Sequence, residues 1–437
     1  MPMTDTSIAS RAGRRLAVAR APLAALAVAG AFSACSFDVT NPGPVQDQFL
    51  DSAAARPAII NGAGRDLSSA LNWIAYTGGA ASREIFPAGS TGSFGITPLE
   101  QVGRLVPEES DTFWENAQRA RWEAENGTDR FKAGMDAATF AKSAQAAQIL
   151  LWAGYANRLL GENMCEATIN GGPRQPSTVF LTRADSELTQ ALAIATAAAD
   201  TKTASAARAA RASVRADLGN WAGAVADAAG IADAYVFQIP YYTTDLDQYN
   251  RIYWSSANSP YRAHTVWNTA YDQYYASSKD PRVPWAQSAT VPVGDARVLT
   301  IGTVPWHYQT KYARRDAGIN LSSGWEMRLI EAEARLVAGD VAGAMPLINK
   351  HRVALGLAPW TATTVDEGWT ALKRERGIEL WLEGRRLGDL RRWAAAARPG
   401  ALSPFEVPNA TSYLDPAQTL CFPISSSELQ TNPNLRS

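Results

Sequence analysis

Two short turns, spelled in nearly the same letters, constrain this chain most. Gly219-Asn220-Trp221-Ala222-Gly223-Ala224 aligns with Gly339-Asp340-Val341-Ala342-Gly343-Ala344. Each turn is flanked by segments of helical periodicity: 204–218 and 221–232 around the first, 325–338 and 341–354 around the second. A Gly at the end of a helix takes the left-handed conformation that closes it, and small residues let the returning helix pack closely. The pattern predicts repeated helical hairpins. Ser323 and Glu326 have capping-box spacing at the start of the second copy. Pro346 should kink the last helix or delay its start.

Helical spacing recurs upstream. Ile59, Ile60, Leu67, Leu71 and Ile74 place a helix over 49–76, with Trp73 and Tyr76 at its end, just before Gly78-Gly79. Residues 112–126 read as a second helix. Phe140, Ala144, Ala147, Leu151, Tyr155 and Leu159 mark a third, ending at Gly161. Between the hairpins, residues 235–324 read as irregular and are dense in Tyr and Trp, with Tyr253 and Trp254 adjacent. Six prolines punctuate them: Pro240, Pro260, Pro281, Pro284, Pro292 and Pro305. A long excursion of this kind inside a compact domain is usually functional.

Residues 369–393 carry an unusual helical stripe. Trp369, Leu372, Leu380, Leu387 and Leu390 fall on it, and Arg376, Glu379 and Glu383 fall on or beside it. An unpaired buried charge costs several kcal/mol, so these charges should pair, and their i,i+3 and i,i+4 spacing lets them pair along the helix. A structural ion-pair network outweighs a catalytic carboxylate pair here.

Little in the sequence suggests catalysis. The three histidines, His264, His307 and His351, have no neighbours at metal-ligand spacing, so no metal site and no cofactor is expected. No nucleophile elbow or phosphate-binding loop occurs. The acidic run Glu108-Glu109-Ser110-Asp111 fits a helix start better than a glycosidase pair. A net charge of −1 gives no electrostatic case for nucleic acid. The aromatic residues are the remaining binding candidates, since a Trp or Tyr ring offers a flat apolar face with a polar edge.

Several motifs carry a resemblance. Glu375-Arg376, Glu379-Leu380, Glu383-Gly384-Arg385 and Asp389-Leu390-Arg391-Arg392-Trp393 resemble the C-terminal signature of the SusD/RagB family of nutrient-binding outer-membrane lipoproteins. Asn41-Pro42, Asp280-Pro281-Arg282 and the tail Pro423-Ile424, Glu428-Leu429 and Asn432-Pro433-Asn434-Leu435 resemble further landmarks, in the expected order. The resemblance implies an all-α, tetratricopeptide-like bundle of helical hairpins with long irregular insertions. It also implies a non-enzymatic surface receptor that passes an oligosaccharide or similar nutrient to a SusC-like TonB-dependent transporter. Two alternatives stay open: a receptor for peptide or another non-glycan ligand, and a tetratricopeptide scaffold that only assembles partners. Surface aromatics favour a receptor; aromatics all buried favour a scaffold.

At the N-terminus, Arg11, Arg14, Arg15 and Arg20 precede a short apolar run ending at Ser33-Ala34-Cys35. This resembles a lipoprotein signal over residues 1–34 and makes Cys35 the expected lipidation site, ahead of one domain over 35–437. The lipid would anchor the chain to the outer membrane, facing the cell surface. With Cys35 lipidated in an exported protein, Cys165 and Cys421 remain as an even pair, which predicts a disulfide; two buried free thiols are the alternative. For ligand contact, Trp73 and Tyr76 at a helix end and Tyr253 and Trp254 in the insertion are the candidates.

Overall fold

The structure, a computed structural model, describes residues 47–89, 95–258, 261–298 and 301–436. The expected signal segment and Cys35 lie outside the described residues. Residues 48–437 pack together as one unit.

The repeated turns close helices as their spelling requires. Gly219 and Gly339 sit at φ 74° and 78°, in the left-handed region. Asn220 and Asp340 then cap the returning helices, accepting from the backbone N–H of Gly223 (3.1 Å) and Gly343 (2.8 Å). A Cβ at Gly223 or Gly343 would strike the capping side chain, at 2.8 Å from Asn220 and 2.2 Å from Asp340. The repeated spelling is thus the chemistry of one turn used twice.

The hairpins are built from α1 (Arg56–Ala81), α2 (Asp111–Ala133), α3 (Ala144–Asn163), α4 (Thr178–Ala197), α5 (Thr201–Asp217) and α6 (Trp221–Ala228). After the insertion, which holds α7 (Ala270–Ser278), come α8 (Gly324–Val337), α9 (Val341–Ala354), α10 (Val365–Glu379) and α11 (Arg386–Ala395). From α1 to α6 each helix packs on the next; α6 also packs on α8, which packs on α9 and α10. The chain is therefore an all-α, tetratricopeptide-like bundle with irregular insertions. The α5–α6–α8 seam is mostly alanine, including Ala209, Ala212, Ala216, Ala224 and Ala228, which brings the helices close. Among the described residues no helix is long and apolar enough to cross a membrane.

Three expectations are corrected and one, for Pro346, is narrowed. Helix α4 falls in a stretch to which the sequence reading assigns no element, although its buried Phe180, Leu181, Ala184, Leu188, Ala191 and Ile194 have helical spacing. The 369–393 stripe is two helices, broken between Glu379 and Arg386 where Leu382 and Gly384 turn left-handed at φ 61° and 73°. At Gly384 a Cβ would come within 3.0 Å of Leu71, so the break is where the chain presses onto α1. Backbone groups freed by the break find partners: Leu382 N–H donates to the Glu84 carboxyl group (2.8 Å), and Lys311 and Tyr312 donate to the carbonyls of Trp381 (2.6 Å) and Leu382 (3.1 Å). Pro346 lies within α9 without delaying its start at Val341. Ser323 caps α8 through Glu326 N–H, but the Glu326 carboxylate turns to Arg385 (2.7 Å) and Ser213 (2.7 Å), so the capping box is only half made.

The charges on the stripe are buried and paired, but not with one another. Arg376 reaches Asp389 on α11 at 2.8 Å. Glu379 accepts from Arg282 (2.7 Å) and His351 (2.7 Å), while Glu383 accepts from Lys311 (2.8 Å) and Asn320 (2.7 Å). Partners supplied by other segments outcompete neighbours along the helix because they tie the insertion and α11 to the bundle. Arg282 is the hub: it also bonds Asp280 and Glu375.

The insertion is more ordered than its prolines suggest. Val236–Ile239 and Ile319–Ser323 form an antiparallel ladder that closes it at its base. Trp285–Gln287 pairs with His307–Gln309, and Phe86–Pro87 pairs with His264–Thr265, fastening it to the end of α1. Cys165 and Cys421 are bonded, with Cα atoms 5.0 Å apart. Beside the bond, Cys165 N–H donates to Phe422 O (2.9 Å) and Phe422 N–H to Asn163 O (2.8 Å), holding the tail against the end of α3.

Candidate functional site

The outward face of α1 anchors one part of the insertion, and that contact positions the candidate site. Asn72 is buried and uses both ends of its amide: it donates to Tyr249 O (2.7 Å) and accepts from Arg251 N–H (2.7 Å). Asn250 holds the same segment from the other side, accepting from Tyr253 N–H (3.0 Å) and donating to Ala317 O (2.8 Å). With both asparagines spent on backbone, the segment turns through a single π-helical turn, Tyr253–Ala257. Such turns often mark functional sites.

Three rings result, side by side. Trp254 lies 5.2 Å from Tyr249 and 5.4 Å from Tyr261, centroid to centroid, and all three are half-buried. Arg315 is exposed and lies over two of them, 4.8 Å from Tyr249 and 5.8 Å from Trp254, and it donates to the Tyr249 hydroxyl at 3.1 Å. Arg315 forms no ion pair with a carboxylate among the described residues. A second arginine, Arg251, is stacked on the Trp73 ring at 3.1 Å from its centroid. Burial lowers the Arg251 pKa to about 10, partly offset by Tyr76 and Asp247, so it stays charged at neutral pH. Chemically, the cluster offers ring faces for an apolar surface and guanidinium donors for hydroxyl or carboxylate oxygens.

The four residues expected at the site separate. Trp254 is at its centre. Trp73 is half-buried beneath Arg251 and edge-on to Phe113 (6.2 Å), so it supports the arginine. Tyr253 packs partly buried against the core. Tyr76 is fully buried and shares a 2.7 Å hydrogen bond with the His264 Nδ1 atom, so it braces the layer below and cannot meet a ligand directly. Burial, reinforced by Arg83, pushes the His264 pKa down to about 3, leaving that partner uncharged at neutral pH. Sequence reading missed Tyr249, Tyr261 and Arg315 as a unit. Their only signal was membership of the aromatic insertion, because the contacts that gather them run through α1 and the 312–317 loop.

Other groups weighed from sequence have structural partners. Glu109 accepts from the Thr97 hydroxyl (2.5 Å) and Asp111 from Ser427 N–H (3.1 Å). His307 contacts Asp272 and stacks on Trp285 at 4.2 Å, while His351 contacts Glu379 and stacks on Trp325 at 4.0 Å. Among the described residues no three His, Cys, Asp or Glu side chains gather as a metal site.

Comparison with known proteins gives a consistent picture. The family model described as the SusD family matches residues 240–437. Solved structures of similar fold include a SusD superfamily protein from Bacteroides thetaiotaomicron, 14% identical with a TM-score of 0.62, over 88% of this chain and 97% of that one. A SusD superfamily protein from Bacteroides vulgatus is 16% identical with a TM-score of 0.62, over 87% and 97%. Surface glycan-binding protein A from Bacteroides uniformis is 14% identical with a TM-score of 0.62, over 87% and 98%. At these identities the likeness speaks to fold. No curated protein matches in sequence.

Proposed function

We propose that this chain, whose residues 240–437 match the SusD family model, is a glycan receptor of that family whose binding surface is the Tyr249–Trp254–Tyr261 face with Arg315. The observation that carries the reading is that face: three half-buried rings beside an exposed guanidinium with no carboxylate partner among the described residues. A sugar ring presents axial C–H groups on one side, which suit an aromatic face, and hydroxyls around its rim, which suit Arg donors. The face is fixed to α1 by both ends of Asn72, so little ordering cost falls on binding. The names of two structural neighbours, a surface glycan-binding protein and a SusD-like carbohydrate binding protein, support the same ligand class.

The rest of the proposal follows from the family. The receptor acts without catalysis, is held at the outer-membrane surface by a lipid on Cys35, and hands its ligand to a SusC-like TonB-dependent transporter. Residues 35–437 act as one domain, after a signal over 1–34. A pure scaffold is the weaker reading, because it gives no role to an exposed arginine over half-open rings. A peptide ligand also suits rings and guanidinium, and binding assays against both ligand classes separate the two.

A glycan array probed with the purified chain should light up for a restricted set of oligosaccharides. Trp254→Ala should weaken the best of them by about 2 kcal/mol, or roughly thirtyfold, and Arg315→Gln by less, with little change in melting. A blank array alongside saturable peptide binding would overturn the glycan assignment.

A further inference from the structure

A second cleft, which shares no residue with the aromatic face, lies between α7, α10, the start of α11 and residues 401–406; its volume is about 280 Å³. Its floor is Tyr271, only 3% exposed, whose hydroxyl makes no hydrogen bond to protein among the described residues. That hydroxyl is not sealed from solvent, so it is free to bond water or a ligand group in the cleft. Gly377 brings the floor together: a Cβ there would sit 2.9 Å from the Tyr271 hydroxyl and 3.1 Å from the Arg386 guanidinium.

The walls are cationic. Arg386 is fully engaged, bonding Glu406 (2.7 Å) and Lys373 O (2.8 Å), and so contributes no net charge. Lys373 spends two donors on the carbonyls of Arg398 (3.1 Å) and Gly400 (2.8 Å), leaving one of its three. Arg374 is exposed, with its guanidinium 4.7 Å from the Trp360 ring. Neither Lys373 nor Arg374 forms an ion pair with a carboxylate among the described residues. Burial, and then the positive Arg386, pull the Lys373 pKa down against the opposing pull of Asp366, Glu333 and Glu406. Leu402 and Phe405 supply an apolar side.

We propose that this cleft is a second binding site, for a small carboxylate-bearing sugar of the uronic acid type. The carboxylate meets Arg374 and the free donor of Lys373, a ring hydroxyl pairs with the Tyr271 hydroxyl, and the ring's C–H face rests on Phe405. The anion site follows from the cleft itself; choosing a sugar as the carrier of the carboxylate rests on the glycan reading above.

Titration calorimetry of the purified chain with glucuronate and galacturonate, against glucose and galactose, tests it. Saturable binding of a uronate but not of the neutral sugars is expected. Arg374→Gln should weaken it roughly tenfold, the effect of one charge-assisted contact. Tyr271→Phe should weaken it by a smaller factor, and neither variant should melt earlier, because neither loses an ion pair or hydrogen bond within the protein. Trp254→Ala should leave it unchanged. Absence of saturation at millimolar uronate, or binding indifferent to both variants, would overturn the proposal. Arg374-dependent uronate binding with a blank glycan array tells against the aromatic face alone; the reverse result tells against this cleft alone.

Discussion

Removing Arg376 tests how the two halves of the signature stretch are joined. Arg376 and Asp389 are 2% and 5% exposed and 2.8 Å apart, and they bridge the break between α10 and α11. Burial alone would raise the Asp389 pKa. The Arg376, Arg392 and Arg385 guanidiniums more than reverse that and hold it below the ordinary carboxylate range. Arg376→Ala leaves a buried carboxylate short of its main partner, a loss of about 3–5 kcal/mol. For residues 48–437, an unfolding entropy of about 2.1 cal/mol/K per residue sums to roughly 0.8 kcal/mol/K, so the melt should fall by about 4–6 °C. Differential scanning calorimetry reads this directly. The double variant Arg376→Met/Asp389→Leu should recover part of the loss, because the other partner of Asp389, Arg392, keeps Glu333 and Asp217. A melt lowered by less than about 1 °C in the single variant would refute the buried-pair account. Acid should act the same way. With the folded pKa depressed, the Asp389 contribution is complete above the unfolded value of about 4 and is lost as pH falls below it.

Glu84 should show the opposite sign: burial raises its pKa to about 8, so the folded state holds a proton that the unfolded state releases near 4.5. Stability should therefore decline as pH rises through that window, and Glu84→Gln should flatten the slope in denaturant titrations; an unchanged slope would show Glu84 to be charged. Replacing both Cys165 and Cys421 by Ala opens a loop spanning 256 positions, so the unfolded chain gains entropy worth at most about 5.5 kcal/mol. The double variant should melt earlier, and thiol labelling of the denatured, unreduced chain should find neither cysteine free. Mass spectrometry of the mature N-terminus should find an acylated Cys35; an unmodified residue elsewhere would remove the proposed anchor.

What was legible from sequence had local causes. The hairpin turns could be read because a left-handed Gly, a capping Asn or Asp and a second Gly act within a few residues. The burial of Arg376, Glu379 and Glu383 was legible from their place on an apolar stripe, but their partners were not. Asp389, Arg282 and Lys311 come from across a helix break and from the insertion, and helical spacing carries no information about either. The break itself is set by Glu84 and α1 pressing on Leu382 and Gly384, which is a tertiary effect. Helix α4 was a different failure: its periodicity was present in the letters and went unread. At the site, Trp254 was legible as one of an adjacent aromatic pair. Arg315 was not, because tertiary contacts, those of Asn250 with Arg315 O and Ala317 O among them, bring its loop alongside the rings.

The central claim is that glycan binds on the Tyr249–Trp254–Tyr261 face. The most direct measurement is a crystal structure of the chain soaked with the strongest oligosaccharide from the array. The account predicts a sugar ring lying against Trp254, with a hydroxyl or carboxylate oxygen within about 3 Å of the Arg315 guanidinium. An ordered neutral oligosaccharide bound elsewhere, with Trp254 and Arg315 untouched, would contradict it.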